Sequence, residues 1–327
     1  MGFFAKSVQN APLPEKWMKS APWSPLVLST FFLGILLGNS TFSQTNSSDA
    51  ERLFNEMLVK VRSLETIKAE VRMDVFVMGQ EYTAKGTYEE QKLENPLPGD
   101  FQRSMYRLDL HFVTGVPTAL GSEPNRLIIL CHPTSDRETG RLWQYRSIEG
   151  EKSVQFVTLA QLENIVRQRG KLALIGSVGE TKNLGGLAGT LKQIAQFYEF
   201  ADLPMETVMK GGESQPVRKI IGSLRSDFEE SMTKAFGGLE KKTKNFPSQM
   251  PTNIEIFVGR DDTFPYKIEY QNRPKADSPK RIILTRIVYF NVSLNSEPIP
   301  MDKYRDNLLE GVYRTEDITD RVIRSIR

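Results

Sequence analysis

The fold turns on Thr66-Ile-Lys-Ala-Glu-Val-Arg-Met-Asp-Val-Phe-Val77. Ile67, Ala69, Val71, Met73, Val75 and Val77 alternate with Lys68, Glu70, Arg72 and Asp74. Successive side chains of an extended chain point to opposite sides, so a period of two places this apolar set on one face of a long strand. Tyr82, Ala84, Gly86 and Tyr88 carry the alternation on after the tight connection Gly79-Gln80. The two segments therefore read as a hairpin with one covered face and one wet face, the signature of antiparallel sheet.

The same period recurs outward from this hairpin. After a Pro/Gly break at residues 95–99, Tyr106, Leu108, Leu110 and Phe112 alternate with Arg107, Asp109 and His111. Leu127-Ile-Ile-Leu130 is a short apolar strand, and Leu142 to Ile148, with Trp143 and Tyr145, is its partner across the turn residues 133–140. Five strands in succession form a meander. Further on, Ile254 to Val258, then Tyr266, Ile268 and Tyr270, and finally Ile282 to Leu294 resume the strand pattern after a turn at Asp261-Asp-Thr-Phe-Pro265.

Helices frame these strands. Ser48-Asp-Ala-Glu51 is a capping-box pattern, and Phe54, Met57, Leu58 and Val61 follow at helical spacing, which predicts a helix over about Asp49 to Leu64. Between the two groups of strands the pattern predicts a helical insertion over about 158–238. It comprises a short helix over Leu159 to Arg167, a Gly-rich loop over Gly176 to Gly189 and a helix over Leu191 to Phe200. A long amphipathic helix then runs from Ser214, with Pro216 in its first turn, through Val217, Ile220, Ile221, Leu224, Phe228, Met232 and Phe236 up to Gly237-Gly238. A basic linker, Lys241 to Lys244, follows, and a last helix begins near Asp320.

Composition bounds the rest. The chain has 327 residues, 39% hydrophobic and 25% charged, a globular balance. At roughly 150 residues per domain the length allows about two domains or one large one. A net charge of +3 implies no basic field for nucleic acid. One cysteine, Cys131, excludes an internal disulfide, and with only His111 and His132 beside it a zinc site of the usual kind is short of ligands. At the N-terminus Lys6, Lys16 and Lys19 precede the apolar run Leu26 to Gly38, too short to span a bilayer comfortably, with small residues at Thr41 and Ser43 beyond it. Residues 1–43 thus read as a secretory signal cut near Ser43-Gln44, or as an uncleaved anchor; either way the domain 44–327 crosses a membrane to a periplasmic or otherwise exported place.

No arrangement of residues makes a convincing active site. Cys131-His132 with Asp136 could suggest a thiol and its base, but adjacent strand residues point to opposite faces. His111 falls on the polar side of its strand. The glycines between Gly176 and Gly189 lack the Lys-Ser/Thr ending of a phosphate cradle. Asp261 and Asp262 could pair on a metal, the basis for a rival enzymatic reading, yet Asp-Asp-Thr before Pro is ordinary turn chemistry. What the chain has in excess is hydrophobic surface on long strands. A sheet with one apolar face, met by amphipathic helices, curves around them as an α+β fold, an incomplete antiparallel barrel with helices across its concave face. Helices that fill the concavity make a plain core; helices that fill it in part leave an apolar cavity for an acyl chain.

The order of elements resembles the LolA-like carriers, the outer-membrane lipoprotein-sorting proteins. The resemblance rests on the opening helix with Thr66 to Val75, on Ile254-Glu-Ile-Phe-Val-Gly-Arg-Asp-Asp-Thr-Phe-Pro-Tyr-Lys-Ile-Glu269, and on Arg286-Ile-Val-Tyr-Phe-Asn-Val-Ser-Leu-Asn295 with Pro298, Ile299 and Pro300. It spans most of residues 49–305 and treats Gly176 to Lys210 as an insertion. It implies a non-catalytic, cofactor-free half-barrel that shields the acyl chains of a lipid or lipoprotein in transit, with envelope donor and acceptor partners and transient membrane contact. The lipid-binding face would include Val71, Met73, Val75, Leu108, Leu110 and Phe112, with Trp143, Tyr145 and Tyr289 as further lining. The alternative is an envelope interaction module with a filled core and no ligand.

Overall fold

The computed structural model describes residues 48–77, 80–93, 104–113, 125–132, 140–148, 151–159, 161, 186–200, 204–209, 215–230, 251–272, 282–300, 312 and 315–321. Residues 1–43, expected to be a secretory signal or anchor, lie outside the described residues. So do Gly79, the break at 95–99, the turn 133–139 with Asp136, most of the helix expected over Leu159 to Arg167, the Gly-rich residues 176–185 and the linker Lys241 to Lys244.

Helix α1 (Asp49–Ser63) starts as its sequence predicts: Ser48 caps it, its hydroxyl accepting from the Glu51 amide at 3.1 Å. Asp49 and Glu51 in the first turn and Lys60 and Arg62 in the last complement the helix dipole. The stripe Ala50, Leu53, Phe54, Met57 and Val61 is buried. A second helix, α2 (Gly186–Phe197), buries Leu187, Leu191 and Ile194 and packs against α1.

The strands are β1 (Thr66–Val77), β2 (Gln80–Lys92), β3 (Ser104–Val113), β4 (Arg126–His132), β5 (Arg141–Ile148), β6 (Glu151–Thr158), β7 (Tyr198–Glu199), β8 (Met205–Met209), β9 (Gln215–Leu224), β10 (Asn253–Gly259), β11 (Pro265–Asn272), β12 (Ile282–Leu294) and β13 (Thr315–Asp317). They form one sheet in the order β13-β6-β5-β4-β3-β2-β1-β12-β11-β10-β9-β7, with β8 on β9. Every pairing is antiparallel except β13 on β6. The meander β1 to β6 runs one way from β1, and the later strands pair back onto its other side through β12, so the first long strand lies inside the sheet. Register shifts at Lys68/Glu70, Phe257/Val258 and Tyr270/Gln271 bend the ladder. The two ends of the sheet do not pair, which leaves a curved, open antiparallel sheet with helices on one face, the α+β architecture that the alternation predicts.

Two stretches depart from their predicted period. The helix expected from Pro216 onward is strand β9 up to Leu224, and helical geometry begins only at Ser226. Val217, Ile220, Ile221 and Leu224 keep the helical spacing, and on a strand they divide between its two faces, Ile220 and Leu224 joining the cluster under the helices; but β9 is paired on both sides, with β10 along Val217 to Ser223 and with β8 along Gln215 to Lys219. Strand pairing therefore overrides the helical spacing, and the β-branched run favours it. The helix expected over Leu191 to Phe200 begins earlier, at Gly186, and ends at Phe197, because Tyr198 and Glu199 pair with the end of β9. The interval 158–238, expected to be helical, thus holds both helix and strand among its described residues.

The face of the sheet turned away from α1 and α2 carries charged clusters over β1–β3 and β11–β12, joined by Arg126 of β4. There Asp74 is bonded by Arg72 and Thr83, both at 2.8 Å, Glu269 by Arg286 at 2.8 Å, and Asp109 by Arg126 at 2.6 and 2.8 Å.

Candidate functional site: the concave face

Cross-strand register assembles the concave face in rows. One runs Ala69, Tyr88, Leu108, Ile129 and Gln144; the next runs Val71, Gly86, Leu110, Leu127 and Arg146. Met73 stands opposite Ala84, and Ala84 opposite Phe112. Ala69, Ala84 and Gly86 make a floor of small residues along β1 and β2. Gly86 is required there, since a Cβ would collide with the carbonyl oxygen of Asp109.

The structure brings most of the predicted lining together. Val71, Met73, Val75, Leu110 and Tyr289 belong to one buried cluster with the apolar stripes of α1 and α2, and Leu108 and Phe112 are half-buried against it. Tyr289 lies opposite Val71 and joins an aromatic band, its ring edge-on to Tyr88 at 5.9 Å and to Phe264 at 5.8 Å. Phe54 of α1 stacks on Phe200 at 4.5 Å. Trp143 and Tyr145 are not part of this face. They lie in a second cluster with Ile128, Leu130 and Val154, packed by Phe156 and Val312, with the Arg141 guanidinium 4.5 Å from the Phe156 ring centroid. The reason is parity: Leu142 pairs with Cys131 on the concave side, so Trp143 and Tyr145 point the other way. On β5 and β6 the concave positions become polar, where Arg146 donates to Gln144 at 2.7 Å and Gln155 donates to Glu316 at 3.1 Å.

One polar group in the middle of the apolar face escapes sequence reasoning. Glu90, paired with Ile67 on one side and Tyr106 on the other, is buried on the concave side. Its carboxylate accepts from the Tyr88 hydroxyl at 2.5 Å, from the Ser104 hydroxyl at 2.5 Å and from the Leu187 amide at 3.0 Å. The same amide donates to Tyr88 at 2.8 Å. Gly186 makes the approach possible: its φ is +60°, and a Cβ would collide with the Glu90 carboxylate. Burial pushes the Glu90 carboxyl above its ordinary range, and the three donors recover only part of that cost. The signal in the sequence was the shared parity of Gly86, Tyr88 and Glu90, which places an acid on the apolar side.

The candidate chemistry meets ordinary structural roles. Cys131 is fully buried and its thiol is pushed up to about 12 by burial first and the Glu90 charge second, so it stays protonated. His111 is half-buried, 3.5 Å from Asp109. Asp262 spends its carboxylate on the turn, accepting from the Phe264 amide at 3.0 Å and from the Tyr266 hydroxyl at 2.5 Å. Among the described residues no group of three or more His, Cys, Asp or Glu is placed to hold a metal, and no helix is long and apolar enough to cross a membrane.

No protein family and no curated protein matches the chain by sequence. Solved structures similar to it include an outer membrane lipoprotein-sorting protein domain from Vibrio parahaemolyticus, 10% identical over 79% of this chain and 97% of that one, with a TM-score of 0.34. A DUF1329 family protein from Desulfovibrio piger is 10% identical over 80% of this chain and 100% of its own, with a TM-score of 0.34. A LolA superfamily protein from Nitrosomonas europaea is 11% identical over 76% and 95%, with a TM-score of 0.21.

Proposed function

We propose that the protein is an exported, non-catalytic carrier whose concave face takes up acyl chains of a lipid or lipoprotein. The observation that supports this reading is the half-buried apolar strip of Leu108, Phe112 and Ile129 beside the small-residue floor of Ala69, Ala84 and Gly86. A chain laid there meets hydrocarbon on one side and, at Gln144 and Arg146, polar groups at one end of the strip. A chain of roughly 16 carbons transfers on the order of 10 kcal/mol of hydrophobic free energy at about 0.8 kcal/mol per methylene, before association costs. The basic segment and apolar run before residue 43 support export, and the envelope would supply donor and acceptor partners.

A second reading has its own observation. Val71, Met73, Val75, Leu110 and Tyr289 are each under 9% exposed beneath the protein's own helices, as in a filled core that serves an envelope interaction module. Native mass spectrometry of protein purified from an envelope fraction without detergent, with organic extraction, separates the two. The carrier yields a stoichiometric lipid or acylated peptide. A bare mass with no uptake of a fatty-acyl probe favours the filled core.

A further inference from the structure

Four carboxylates are buried among the described residues: Asp74, Glu90, Asp109 and Glu269. Three lie on the charged face with cationic partners: Asp74 with Arg72 and Arg286, Asp109 with Arg107 and Arg126, Glu269 with Lys267 and Arg286. Glu90 alone faces the apolar side, and its partners among the described residues are all neutral. We propose that the seating of α2 on the concave face is controlled by the protonation of Glu90, the neutral carboxyl holding the first turn of the helix down and its ionisation releasing it.

The groups around Glu90 define the switch. Tyr88 faces it from its own strand, Ser104 and Tyr106 from β3, Cys131 from β4, Tyr289 from β12 and the Leu187 amide from α2. The three tyrosines and the thiol are all pushed upward by burial, so between acid and neutral pH they stay uncharged. Glu90 is then the group in the cluster whose charge changes. A protonated carboxyl keeps its carbonyl oxygen for the Leu187 amide and turns its own proton to the Ser104 oxygen, so every contact survives. An ionised carboxyl in the seated state is buried with only neutral donors among the described residues; released, it is fully hydrated.

The sign follows from linkage. Burial raises the seated carboxyl above its ordinary range, and the helix N-terminus, which favours an anion, offsets only part of this. The seated state therefore binds the proton more tightly than the released one. Its extra stability is complete below the ordinary glutamate range and is lost as pH rises through the seated value. The inference is independent of what the concavity holds.

Hydrogen exchange of the segment 186–197 tests it directly, because the Leu187 amide is bonded to Glu90 and Tyr88. In the full chain, with exchange corrected for the intrinsic effect of pH, opening of this segment should rise about tenfold per pH unit across the titration window, while segment 253–259 in β10 stays protected. Glu90→Gln, which mimics the neutral acid, should keep the segment protected at pH 8 and flatten the dependence. Opening of 186–197 that is independent of pH in the wild type, or a Glu90→Gln variant with the wild-type profile, would overturn the proposal.

Discussion

Asp74 and Arg286 are cross-strand partners on β1 and β12, their side chains 3.5 Å apart on the face turned away from the helices. The same guanidinium donates to Glu269 at 2.8 Å, so one cation serves two buried carboxylates. Removing it leaves both without that partner. Arg286→Met should lower the unfolding free energy by about 3 kcal/mol in urea denaturation at neutral pH. Burial raises Glu269, but Arg286 and Lys267 more than reverse this and hold it below its ordinary range. Stability from that pairing is present above the ordinary glutamate range and fades as pH falls through the lowered value. The gap between wild type and variant should therefore narrow in acid; an unchanged gap would mean that lost packing, not charge, sets the cost.

Leu108 and Phe112 are the predicted lining residues that α1 and α2 leave half-covered. Leu108→Asp with Phe112→Asp should abolish retention of an acyl probe while the chain still melts cooperatively. A charge at Val71 or Val75, under 9% exposed, would test folding instead. A folded double variant that holds the probe as wild type does would remove the cavity from this strip.

Trp143 packs on Phe156 with ring centroids 4.9 Å apart, in the cluster on the other side of the sheet. Trp143→Ala should cost about 3 kcal/mol of stability, read as a lower urea midpoint, and leave probe retention unchanged. Loss of retention at full stability would return Trp143 to the binding face.

Thr263 holds φ at +57° in the turn before β11, a region that penalises a β-branched side chain. Thr263→Gly relieves that cost, offset by the greater freedom of glycine in the unfolded chain, for a net gain of about 1 kcal/mol. A lower melting temperature in the variant would show that side-chain contacts of Thr263 outweigh its backbone strain.

The sequence by itself determined the periodic parts. Alternation from Ile67 to Val77 set the face of β1, and the Ser48 cap set the start of α1, because each depends on neighbours within a few residues. It also placed Val71, Met73, Val75, Leu108, Leu110 and Phe112 on one side of their strands. Tertiary structure alone decided the rest. Val217 to Leu224 has the apolar spacing of a helix, and only the pairing partners β8 and β10, distant in sequence from one another, made it a strand. Trp143 and Tyr145 went to the far face because the register of β4 against β5 fixes their parity, which a short apolar run cannot reveal. Glu90 acquires its buried setting only from α2, whose Leu187 amide reaches it from far along the chain. Local spacing fixes which side chains share a face; which face is buried, and by what, is set by contacts that only the folded chain makes.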